Sequence, residues 1–123
     1  MSEYISGACN IGPSEIKRRR QGALIGAVLF ALISLLFVIT DASTGSRLLV
    51  FIPALLFAVG MLQSRKRFCV AYGFLGVFSL EKLGATTKIT VNQYLKADRK
   101  YAIKLLLQSV ATAAVLTALV LAI

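Results

Sequence analysis

The chain has 123 residues, 58% of them hydrophobic and only 15% charged, too little polar surface to coat a small domain in water, so a soluble globular fold is excluded and a bilayer is expected. Its 14 Lys and Arg against 5 Asp and Glu give a net charge of +9, with no His and no Trp. The positive charge reads first as a topology signal, and the missing imidazoles disfavour a resident redox metal. Two cysteines, Cys9 and Cys69, are too few for a disulfide scaffold.

Residues 1–20 read as a cytoplasmic N-terminal segment ending in Lys17-Arg18-Arg19-Arg20. A basic run before an apolar stretch has the outline of a signal peptide. The apolar run at 21–40 is 20 residues long, however, and no A-x-A site follows, so a retained helix is expected. At 1.5 Å per residue that run rises about 30 Å, the thickness of the hydrocarbon core, and predicts a first span. The polar turn at 41–46 is short enough only for an antiparallel return. Residues 48–64, between Arg47 and Arg65, predict a second span, with Pro53 in the first turns where its missing N–H costs least.

Residues 65–104 read as a basic cytoplasmic region. Its apolar stretch at 68–80 would reach only about 20 Å as a helix, the length class of re-entrant or interfacial segments. If it does not cross, thirteen of the fourteen basic residues lie on one side and only Arg47 on the other, as the positive-inside rule expects. The aromatic rings of Phe68, Tyr72, Phe74 and Phe78 would then settle at the headgroup level. "VFSLEK" and "TTKITV" alternate and predict a small hairpin around "LGA". From Val91 the pattern turns helical. Thr90 and Gln93 fit a capping box, and Tyr94, Leu95, Tyr101 and Ala102 read as facing the membrane. That helix is expected to run into a third span at 105–123, 19 residues without a charge. The fold class expected is therefore all-α integral membrane, one domain over 1–123, with three transmembrane helices, N-terminus in and C-terminus out.

Small residues suggest where helices meet, because in lipid close backbone approach replaces the hydrophobic push. Gly22, Ala23, Gly26 and Ala27 form such a face on the first span, and Ser109, Ala113 and Thr117, with Ala114 and Ala118, do so on the third. Lys17, Arg18, Arg19, Arg20, Arg65, Lys66 and Arg67 are candidates for anionic headgroups. No nucleic-acid motif accompanies the charge. No ionisable group lies inside the spans as drawn, no acid/base pair or activated nucleophile is apparent, and no cofactor or metal ligand set is expected. Cys9 and Cys69 fall on one side, each within a few residues of an arginine cluster, and are the candidate thiols.

The start Asn10-Ile11-Gly12, the arginines ahead of Gly22 and Gly26, the two-helix hairpin, and Cys69 to Tyr72 followed by Leu75-Gly76 resemble the YgaP-like two-helix inner-membrane domain over residues 10–76. Val70 stands where that family carries a proline, and the third helix and the basic region are additional. The resemblance implies a bacterial inner membrane; members of the family dimerise or are fused to sulfur-transfer domains. The function expected is that of a non-catalytic accessory subunit of a larger membrane complex, respiratory and photosynthetic complexes being the settings considered. The alternative is a stand-alone inner-membrane homodimer with a thiol role for Cys9 and Cys69.

Overall fold

The computed structural model describes residues 4–79 and 86–123. Helix α1 spans Pro13–Ile39, α2 Thr44–Arg47, α3 Phe51–Lys66, α4 Val70–Leu75 and α5 Asn92–Ala122; strands β1 (Val77–Phe78) and β2 (Thr87–Lys88) lie between α4 and α5. Three helical stretches, Pro13–Ile39, Thr44–Lys66 and Asn92–Ala122, are long and apolar enough to cross a membrane. The middle one joins α2 to α3 through a 3-10 turn, Leu48–Val50, just ahead of Pro53. A proline ring crowds the carbonyl four residues back and offers no N–H to it, which accounts for the local tightening.

Helix α1 begins at Pro13, well ahead of the expected start at residue 21, because proline at the first helical position brings its φ ready-made. The helix expected from Val91 onward runs unbroken from Asn92 into the third span. Its cap is Val91, with no side-chain capping bond, so the expected Thr90/Gln93 capping box is not formed. Residues 68–79, the described part of the short apolar stretch, form no span: they fold into the short α4 and β1. Gly76, at φ +74°, ends α4 in the left-handed region that glycine takes at least cost. Strand β1 pairs antiparallel with β2, Val77 opposite Lys88 and Phe78 opposite Thr87. The turn of this expected hairpin, Lys82 included, lies outside the described residues.

Helix α3 packs against both α1 and α5. On α5 the buried residues are Asp98, Ala102, Leu105, Ser109, Ala113, Thr117 and Val120, spaced by three and four so that they form one stripe. Around α1 the apolar side chains point outward almost all round, with Leu24, Ile25, Leu32, Leu35, Leu36 and Ile39 exposed. That is the surface of a helix facing lipid. Two glycines, one on each helix, let the α1 and α3 backbones come close. A Cβ on Gly26 would sit 2.6 Å from the Phe57 backbone nitrogen, and one on Gly60 would sit 2.8 Å from the Ala23 nitrogen and the Arg19 carbonyl oxygen.

Candidate functional site at the basic end of the bundle

The start of α1, the end of α3, α4, the hairpin and the start of α5 meet at one end of the bundle, and most of the polar contacts between distant parts of the chain are found there. The N-terminal segment enters as an added strand: Asn10 and Gly12 exchange backbone hydrogen bonds with Ser79, and Ile11 bridges Ser79 in parallel. Asn10, fully buried, also clasps the start of α4. Its Nδ2 donates to the Cys69 carbonyl at 3.1 Å, and its Oδ1 accepts from the Cys69 amide at 2.6 Å. The Gln63 side chain accepts from the Val70 amide at 2.9 Å. Buried in protein, these backbone groups have no water to turn to, so the two amides satisfy what the short helix leaves open.

Of the four basic residues at 17–20, Arg19 alone turns inward. Its Nη1 pairs with Glu15 Oε1 at 2.7 Å, one helical turn back, and its Nη2 donates to Cys69 Sγ at 3.1 Å. Its guanidinium carbon stands 5.6 Å from the centre of the Tyr72 ring, in cation–π range. Tyr72 in turn donates its hydroxyl to Glu15 Oε2 at 2.6 Å. Burial first, and then that bond, push the Tyr72 phenol above its ordinary pKa. Glu15 is 1% exposed with both oxygens engaged, so the carboxylate acts as a clasp that ties α1 to α4. A half-open pocket of about 350 Å³ lies beside it, lined in part by Glu15, Arg18, Arg19, Gln63 and Tyr72.

A second clasp joins the N-terminal segment to α5. Asp98, fully buried, accepts from the Tyr4 hydroxyl at 2.7 Å and from the Gly7 amide at 2.6 Å. Tyr4 stacks on Phe78 at 4.7 Å. Burial, and after it the bond to Asp98, raise the Tyr4 phenol's pKa above its ordinary range.

These clasps correct the expected placement of the aromatic residues. Phe68 is fully buried with Ala102 and Leu105, and Tyr101 meets its ring edge-on. Tyr72 and Phe78 are engaged as described, and of the four aromatics only Phe74 is exposed. Tyr101 and Ala102 pack on the Phe68 cluster, and Leu95 lies over Gly76, so these three do not face the membrane; Tyr94 is exposed. The first turns of α5 pack on α4 and cover Phe68, while α1 holds Tyr72 and the N-terminal segment holds Phe78.

The small-residue positions divide. Ala23 and Gly26 are buried against α3, while Gly22 has nothing within 4 Å of its missing Cβ and is no contact point; Gly60 on α3 takes that part. Ala27 is half-buried. Ser109, Ala113 and Thr117 face inward, the two hydroxyls bonded back to Leu105 and Ala113 carbonyls of the same helix, whereas Ala114 and Ala118 are exposed. Lys17, Arg18, Arg20, Arg65, Lys66 and Arg67 are exposed. Cys9 and Cys69 are both buried free thiols at this end, with Cys9 Sγ 3.6 Å from the Ile11 carbonyl oxygen. Among the described residues no group of His, Cys, Asp and Glu forms a metal set.

At the far end Arg47 is buried. It donates to the Ala42 carbonyl at 3.1 Å and to the Val120 carbonyl at 3.1 Å, placing a cation on the last turn of α5 where the helix dipole favours it. Sequence reading missed Glu15, Gly60 and Asp98; the spacing of Glu15 and Arg19, four residues apart, was the available signal. Set beside protein-family models, curated proteins and solved structures, the chain matches none.

Proposed function

We propose that this protein is a non-catalytic, three-span subunit of a larger complex in a bacterial inner membrane, with its basic end in the cytoplasm. The observation that carries the reading is the division of α5. One small-residue face is consumed inside the bundle, and a second, Ala114, Ala118 and Ala122, is left exposed. Lipid does not drive helices together, so an exposed row of small residues serves close approach by another helix. The charge distribution supports the orientation, and the clasps support a scaffold role, because their polar groups are occupied in fixing geometry.

The test is recovery of partner chains. Ala114→Leu and Ala118→Leu add bulk without charge and leave the buried stripe untouched. Each variant should insert normally yet lose co-purifying chains about tenfold, the effect of some 1.4 kcal/mol. Leu119→Ala, at a side chain 57% exposed, should not. A protein that purifies alone and monomeric counts against the reading. The second reading, a homodimer with thiol chemistry, draws on the Arg19–Cys69 contact. Replacing Cys9 and Cys69 with Ser should leave partner recovery intact under the subunit reading and abolish a thiol-dependent activity under the other.

A further inference from the structure

On the face of α1 away from the clasp, an open groove of about 540 Å³ runs between α1 and α3, within the roughly 300–1,000 Å³ range of ligand sites. Its walls are apolar, with Leu24 and Ala27 from α1 and Phe57 and Met61 from α3, and its mouth carries Lys17 and Arg20. Positions 17, 20, 24 and 27 follow one another by three and four residues, so a single stripe of α1 passes from cations to hydrocarbon. From Arg20 to Ala27 the helix rises about 10 Å. Met61 also lines a second, separate depression edged by Arg65 and Lys66.

We propose that this groove holds one anionic phospholipid, its phosphate at Lys17 and Arg20 and an acyl chain along Leu24, Ala27, Phe57 and Met61. The order of chemistry along the stripe selects this occupant. An apolar peptide has no use for the cations, and a free phosphate has none for the hydrocarbon walls. A phospholipid presents both, in sequence, at the boundary where α1 leaves the headgroups. The proposal rests on the chain's crossing a bilayer and on the basic clusters meeting anionic lipid, and it is independent of any protein partner.

Because the chain has no Trp, Phe57→Trp gives a single fluorescent reporter in the groove. In phosphatidylcholine vesicles, phosphatidylglycerol with brominated chains should quench it about thirtyfold more effectively per mole than brominated phosphatidylcholine, given two cations near the surface. Lys17→Gln with Arg20→Gln, both at exposed positions, should erase that preference. Inorganic phosphate should not displace the brominated lipid. In parallel, the parent protein taken from mixed vesicles into native mass spectrometry should retain phosphatidylglycerol over phosphatidylcholine, and the double glutamine variant should not. Equal quenching and equal retention of the two lipids would overturn the proposal. Displacement by inorganic phosphate would also overturn it, by assigning the site to a free anion. Since the vesicles contain no other protein, neither result bears on the subunit reading.

Discussion

The two ends of this bundle are held in different ways. At the basic end, well-separated parts of the sequence interlock: the Asn10 side chain with the Cys69 backbone, Glu15 with Tyr72, and Tyr4 with Asp98. At the far end one buried arginine joins the α1–α3 connection to the last turn of α5. Between them the spans rely on shape, with Gly26 and Gly60 letting α1 and α3 touch at the backbone. The difference follows from the solvent. Within hydrocarbon, apolar side chains gain nothing by meeting each other rather than lipid, and polar ones are expensive, so fit does the work. Where the chain leaves the hydrocarbon, polar groups become affordable and specify which segments belong together.

The largest loss is expected where the two helices touch at glycine. Gly26→Leu drives a side chain into the Phe57 and Pro53 backbone, which cannot yield as a flexible side chain can, and should destabilise the bundle by about 3 kcal/mol or more. Gly60→Leu should do likewise against Arg19 and Ala23. Gly22→Ala, at an open position, should be neutral or gain up to about 1 kcal/mol of helix propensity. Thermal unfolding in detergent orders the three variants.

A smaller loss is expected at the N-terminal clasp. Asp98→Ala strands the Tyr4 hydroxyl and the Gly7 amide and should cost about 2 kcal/mol, read as faster proteolysis of the N-terminal segment with the spans intact. Tyr4→Phe should give a milder form of the same defect. The Tyr4 phenol's pKa is raised in the folded state from an ordinary value of 10.0. Its contribution is therefore fully present below pH 10 and lost as pH climbs through the raised value, so protection should hold through neutral pH and fail only in strong alkali.

The far end should respond least. Arg47→Gln removes the cation at the α5 terminus together with its donors, for about 1 kcal/mol. Asp41→Asn should leave stability within experimental error, because Asp41 is solvent-exposed and its oxygen is 3.7 Å from the arginine.

Much of the architecture could be read from residues alone, since length and hydropathy announce spans and period-two alternation announces a hairpin. The clasps could not. Asp98 sits among Lys96, Arg99 and Lys100 and looks like one more solvated charge until the N-terminal segment is seen lying over it. Arg19 was hidden inside a basic run whose other members are exposed. Gly60 has meaning only beside Ala23 and Arg19 on another helix, and the burial of Phe68 depends on Ala102 and Leu105 of α5 meeting it, which the start of that helix alone does not reveal. Single-helix patterns were legible, including the small-residue positions Ala23, Gly26, Ser109, Ala113 and Thr117, but the residues they meet on other helices were not.

The proposed topology keeps α4 and the hairpin on the side of the membrane where α1 begins, and puts that side in the cytoplasm. Single cysteines at Ser43 and at Thr86, both exposed, in a background where Cys9 and Cys69 are Ser, test it directly with an impermeant thiol reagent on intact cells. Ser43→Cys is expected to label at once and Thr86→Cys only after the membrane is opened. Labelling of both in intact cells would contradict the three-span topology, and labelling of Thr86→Cys alone would contradict the orientation.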